Sequence, residues 1–231
     1  ANGGIALAVV DPDTVGWPRI ASLLDDYGFI AFAGADKRTV FDQICERLGG
    51  EGDLPYWDSF TASASEALSA SDGIIRSADN GFTLASDQVP DGDTIREVVS
   101  LNRDVGVSPL PAWYMQGEGP PSLTSWIRSI DGRMIACANG SMRYHSESRM
   151  AGTYYVGSVS VSPADRGKGL GTLVTALLIR DGVKAFDPTA VTGVAQPTNV
   201  PSRAMLTKCG LVHDPGRATV IYNRSGAFHT R

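Results

Sequence analysis

Apolar positions along the chain recur with two periods, and the change from one to the other marks its elements. From Tyr154 to Val161 they alternate as in a half-buried strand. Leu170, Leu173, Val174, Leu177 and Leu178 then follow the spacing of one helix face. Upstream, Phe82 to Val89 reads as a strand. Asp91-Gly92-Asp93-Thr94 opens a helix through Ile95, Val98, Val99 and Leu101, with Asp93 or Thr94 as its cap. Val107 to Pro121 holds four prolines and two glycines, so a loop or broken helix is expected. Thr124 to Ile130 and Arg133 to Glu147 form two strands joined at Asp131-Gly132, with a bulge or break marked by Gly140-Ser141. Downstream come a short strand, Ala190 to Gln196, and a helix, Pro201 to Lys208, closed by Gly210. Strands Leu211 to His213 and Arg217 to Asn223 flank Asp214-Pro215-Gly216.

The first third is patterned less clearly. Val15 to Tyr27 reads as a helix, Gly28 to Gly34 as a strand and Thr39 to Leu48 as a helix ended by Gly49-Gly50. Ser59 to Ser71, rich in Ser and Ala, reads as a linker or a weak helix. The expectation is a small α/β lobe over residues 1–80 packed on a main domain over residues 81–231.

Chemistry concentrates at Arg166-Gly167-Lys168-Gly169-Leu170-Gly171-Thr172, between the alternating strand and the helix. Strand, glycine turn and helix start make a phosphate-binding device. Glycines admit an anion close to the backbone, and the first helical turn offers unpaired N–H groups and a positive dipole end. A dinucleotide fingerprint would need glycine where Thr172 stands, and a P-loop would need Ser or Thr after Lys168. The pattern left is Arg/Gln-x-x-Gly-x-Gly, with Arg166, Gly169 and Gly171 in register. It resembles the coenzyme A loop of the GNAT superfamily of N-acetyltransferases. About 30 residues on, Asn199 to Leu211 is similar to that superfamily's Asn-x-x-Ala/Ser…Lys-x-Gly-Phe segment.

The resemblance covers roughly two-thirds of the chain. It implies an α/β (α+β) fold, a mixed, mostly antiparallel twisted sheet flanked by helices, and acetyl-CoA as co-substrate with no metal. The implied coenzyme-binding residues are Val159, Val161, Arg166, Gly167, Lys168, Gly169, Leu170, Gly171, Thr172, Asn199 and Ser202. The implied reaction is acetyl transfer to an amine. An alkylammonium with a pKa of about 10.4 must first lose a proton, which costs about 4–5 kcal/mol at pH 7. In the family a carboxylate serves as base, the splayed fourth strand polarises the thioester carbonyl, and a tyrosine two residues before the segment's lysine protonates the thiolate. Here that last position is Leu206, and the fourth strand holds no carboxylate. His145 and Glu147, sharing one face of the third strand, are the candidate proton relay. Tyr222 and Cys209 are the candidate replacements for the missing tyrosine. Glu118 is a candidate for docking a cation, and His213 beside Asp214 reads as structural.

The net charge of −5 is unevenly spread. Residues 1–80 carry 5 Lys/Arg against 13 Asp/Glu, whereas residues 81–231 carry 15 against 12. The basic excess thus accompanies the loop meant for a polyanion, and acids such as Glu51, Asp53 and Asp58 are either an ordinary solvated surface or part of a surface for cationic acceptors. No basic patch interleaved with aromatics points to nucleic acid, and no apolar run reaches membrane-spanning length. Three dispersed cysteines, Cys45, Cys137 and Cys209, and no leader-like start suggest free thiols in the cytoplasm. The expected partner is a small-molecule amine acceptor, with a homo-oligomer possible. A coenzyme-binding module without turnover, or an enzyme acting on a protein amine, is the alternative.

Overall fold

The computed structural model describes residues 8–49, 54–78 and 81–223. In chain order its elements are β1 (Ala8–Val9), α1 (Pro12–Val15), α2 (Trp17–Tyr27), β2 (Phe29–Asp36), α3 (Lys37–Leu48), β3 (Tyr56–Ser63) and α4 (Ala64–Arg76). They continue with β4 (Thr83–Asp87), α5 (Gly92–Asp104), α6 (Ala112–Met115), β5 (Ser122–Arg128), β6 (Met134–Ser141) and β7 (Thr153–Val161). A single 3₁₀ turn at Pro163–Asp165 precedes α7 (Leu170–Phe186), β8 (Ala190–Ala195), α8 (Val200–Lys208) and β9 (Val212–Asn223).

All nine strands join one sheet in the order β1-β2-β9-β3-β8-β7-β6-β5-β4. Pairing is antiparallel except for β1 with β2 and β7 with β8. Of the two alternatives for Ser59 to Ser71, the helix holds from Ala64 onward, as α4, whereas Ser59 to Ser63 belong to β3. β3 lies between β8 and β9, with Asp58 opposite Ala195 on one side and Ala218 on the other. A capping box then starts α4: Ser63 accepts from the Glu66 backbone while Glu66 answers the Ser63 N–H at 3.1 Å. Ser and Ala leave strand periodicity faint, so the pairing partners decide the conformation.

Helix caps follow the local chemistry. Asp91, rather than Asp93 or Thr94, caps α5 by accepting from the Thr94 N–H at 2.7 Å. Asp36 caps α3, and Gly28 closes α2 in the left-handed conformation. Residues 212–223 form one continuous strand, because β9 absorbs Asp214-Pro215-Gly216 through a register shift opposite Asp58 and Ser59.

Two large cores result. One lies beneath α7 and joins Phe60, Tyr154, Val156, Leu173, Val174, Leu178 and Leu206. The other wraps α2 and α3 around β2 and β9 through Ile20, Leu24, Phe32, Ile44, Val220 and Tyr222. α4 lies against α7, and a Cβ at Gly210 would come within 2.9 Å of the Ala70 Cβ, so α8 ends against α4. A third, smaller core sits under α5, around Val98, Leu110 and Met115.

Candidate active site

β7 and β8 pair from Thr153 and Ala190 to Val156 and Gly193, and no further. Both strands continue, so past that point they part and leave a wedge between two edges without mutual hydrogen bonds. A bulge in β7 helps to open it. Asn139 opposes Gly157 and Cys137 opposes Ser160, so β7 carries one extra residue, and Ser158 adopts φ +48°. The Ser158 hydroxyl donates to the Ser108 carbonyl at 3.2 Å, tying the bulge to the loop before α6.

The wedge is a cleft of about 190 Å³. β7 contributes Tyr155 to Val159, β8 Val194, β3 Trp57, and α8 Ser202, Met205 and Leu206. Val107 reaches in from the loop. The glycine loop lies beyond the end of β7. Gly167 and Gly169 hold φ +80° and +77°, with nothing within 4 Å of a Cβ added at either. Their requirement is conformational rather than spatial. Gly169 is the N-cap of α7 and provides no side-chain cap, so no capping side chain satisfies the first N–H groups of that 17-residue helix. Gly171 has ordinary backbone geometry, with Val161 and Met205 at 3.6 and 3.8 Å from its missing Cβ.

A buried carboxylate braces this loop. Asp165 accepts from Lys168 Nζ at 2.8 Å and from Arg133 at 3.2 Å. The Lys168 hydrogen bond, followed by those from Ser162 and Arg133, holds its carboxyl below the usual range. Lys168 is therefore latched within the protein, while Arg166 is exposed and makes no contact to a charged or polar partner among the described residues. The latch was missed because Arg133 stands 32 residues from Asp165.

The remaining candidates fall into two groups. Val159 lines the cleft and Val161 flanks the loop; Leu170 and Thr172 lie in the first turn of α7, with Leu170 pointing into the core. Asn199 is the N-cap of α8, its Oδ1 accepting from the Ser202 N–H at 3.1 Å, while Ser202 lines the cleft. Leu206, where a tyrosine was looked for, fills the cleft wall against Gly193.

His145 and Glu147 do not share a strand face. β6 ends at Ser141; the Met142 N–H still donates to the Pro121 carbonyl at 2.8 Å, continuing the β5–β6 register by one residue, and the chain beyond is loop. Both residues lie exposed in the loop before β7, where the Glu147 N–H donates to His145 Nδ1 at 3.3 Å. Neither lines the cleft. Tyr222 is buried in the other core and donates its hydroxyl to the Leu48 carbonyl at 3.0 Å. Cys209 is buried, its thiol pushed up to about 12 by desolvation. Glu118 sits exposed in the loop after α6.

Asp58 is not a surface acid: Arg203, Lys37 at 3.6 Å and His213 at 3.7 Å surround its buried carboxylate. Glu51 and Asp53 lie outside the described residues. The residue that sequence reasoning passed over is Tyr155. It occupies the cleft with no hydrogen-bond partner for its hydroxyl among the described residues, and the Arg143 guanidinium lies 3.7 Å from its ring centre.

The Acetyltransferase (GNAT) family model matches residues 94–211, just over half of the chain. This chain belongs to the GNAT family. The match spans α5 to the end of α8, which includes the wedge and the glycine loop. Among solved structures, a tandem GNAT protein from the clavulanic acid biosynthesis pathway aligns with a TM-score of 0.64 at 15% identity, covering 92% of this chain and 70% of that one. A GCN5-related N-acetyltransferase from Kribbella flavida aligns at 0.55 and 16% identity, covering 91% of this chain. This chain spans 65% of the length of that protein. A putative GNAT-family acetyltransferase from Novosphingobium aromaticivorans aligns at 0.55 and 16% identity, with 95% and 85% of the two chains covered. At these identities the likeness is one of fold. No curated protein matches the chain.

Proposed function

We propose that this GNAT protein transfers an acetyl group from acetyl-CoA to the amine of a small molecule. The observation that carries the reading is the parting of β7 from β8 after Val156 and Gly193, in line with an uncapped helix start at Gly169. An extended amide-bearing chain suits the first feature, since unpaired strand edges satisfy amide groups. A pyrophosphate suits the second. Val159 and Ser202 would flank the pantetheine arm, and Gly167, Gly169, Gly171 and Arg166 would meet the phosphates. Lys168 would serve two acceptors, Asp165 and the phosphate.

The small acceptor is favoured by enclosure. Val107 enters the cleft and Ser158 is tied to Ser108, so the 105–121 loop closes over the bulge instead of leaving a groove. The N–H groups around the Ser158 bulge would be the donors for a thioester carbonyl, where a preorganised donor stabilises developing negative charge. No carboxylate lines the cleft, so the ammonium would lose its proton through water or another group.

Calorimetric titration of acetyl-CoA into the wild type, Gly169→Ala and Gly169→Glu tests the reading. The expected result is roughly micromolar binding by the wild type, weakened by the strain of alanine and abolished by the carboxylate. Absence of wild-type binding would overturn the reading. Thioester loss stimulated by small amines, and not by peptides, would fix the acceptor class.

A further inference from the structure

We infer that Tyr155 is the catalytic proton relay of the cleft, carrying a proton from the acceptor nitrogen to the departing sulfur. The inference rests on the acetyl-transfer reading above.

Three observations converge on this residue. First, its position: Tyr155 is the residue before Val156, where the β7–β8 ladder ends, and its ring runs forward along the strand over Gly157. The phenol oxygen lies 3.0 Å from where a Gly157 Cβ would stand, beside the Ser158 bulge. Only glycine at 157 leaves room for the ring there. Second, the hydroxyl is available. Among the described residues it makes no hydrogen bond, whereas the Tyr222 hydroxyl is engaged by Leu48. Tyr154 is wholly buried under α7. Third, its setting is cationic. The Arg143 guanidinium is stacked on the ring and held by its Nε bond to Ser141 Oγ at 3.1 Å. A guanidinium over the ring face holds the ring in place by cation–π attraction. Tyr144 is the other ionisable neighbour, and burial, then the presence of Tyr155, push its phenol up, so it stays neutral.

The chemistry balances around one carbon. As the amine attacks, the C–N bond forms and the thioester C–S bond breaks. The nitrogen must lose one proton and the sulfur gain one, and both atoms are attached to the same tetrahedral carbon. A single phenol beside that carbon gives its proton to sulfur and takes one back from nitrogen, ending as it began.

The test compares wild type, Tyr155→Phe and Arg143→Leu, using acetyl-CoA hydrolysis as the acceptor-independent reaction and free CoA as a binding probe. Phenylalanine keeps the ring and its packing, so calorimetric affinity for acetyl-CoA should be unchanged. The turnover number should fall about 100-fold at unchanged KM. At a pH near the free thiol's pKa, ultraviolet absorbance should show bound CoA several-fold more ionised in the wild type than in Tyr155→Phe, because the phenol donates to the thiolate. Arg143→Leu should fall between them. A Tyr155→Phe protein that binds CoA with wild-type turnover and an unchanged thiolate signal would overturn the inference alone. Failure of every variant, wild type included, to bind CoA would overturn the acetyl-transfer reading and this inference with it.

Discussion

Tyr154 lies between two glycines, Gly140 on β6 and Gly182 on α7, and a Cβ at either would overlap its ring. Both glycines are therefore set by volume, unlike Gly167 and Gly169, which are set by backbone angle. Its hydroxyl is buried without a partner among the described residues, and burial, with Asp181 as a lesser cause, pushes the phenol well up. An unsatisfied buried hydroxyl costs about 1–3 kcal/mol. Tyr154→Phe should thus match or exceed the wild type in urea unfolding, whereas Gly182→Ala should lose about 2–3 kcal/mol through overpacking. At Gly169 the prediction is different: alanine meets no atom, so only the left-handed backbone is penalised, at about 1–2 kcal/mol. The glycine loop was legible in the sequence because its demands are local. Tyr155 was not, because its standing depends on the end of a ladder, a missing Cβ two residues on and an arginine from another segment.

At the scale of elements, the 3₁₀ turn and the start of α7 are joined by the Asp165 latch to Lys168 and Arg133. Because the folded pKa of Asp165 is lowered, its contribution is present above the unfolded carboxylate pKa, near 3.9, and fades as pH falls through the folded value. Asp165→Asn should therefore unfold at lower urea than the wild type at pH 7, and the difference should shrink below about pH 4. Helix α4 offers a second check. Ser63→Ala removes the capping box and should cost about 1 kcal/mol by the same measurement. Here the sequence was informative wherever a period was strong, as in α5, β7 and α7. It misled where composition was bland. Ser59 to Ser71 has few apolar landmarks, yet Phe60 and Ala62 face the main core while Thr61 Oγ1 meets Thr192 Oγ1 at 3.2 Å. The strand beyond Ser141 is overextended on the sequence because Tyr144, His145 and Glu147 mimic alternation, while its end is set by the distant Pro121, which accepts from Met142 but has no N–H to return.

For the whole molecule, the decisive fact is that the sheet is knitted from both parts of the chain. The unfavourable charge balance of residues 1–80 is eased the same way, with Arg203 and His213 set against Asp58. Arg149, from the loop before β7, adds a further tie by donating to the Val10 and Gly34 carbonyls at 2.8 and 2.7 Å. A fragment of residues 81–223 would lack the strand between β8 and β9 and expose both edges. It should be insoluble or molten, with no cooperative heat transition, whereas the full chain should melt in one step by calorimetry.

The central place of β3 also sets a timetable. Thr61 and Thr192, which touch in the finished sheet, are 131 residues apart in the chain. On a ribosome β3 is made well before either neighbour, so its apolar face waits without a partner while the intervening chain is synthesised. Closing contacts of such range slows folding and lengthens exposure to aggregation. Nascent chains of this protein should therefore depend on holding chaperones until β9 leaves the exit tunnel.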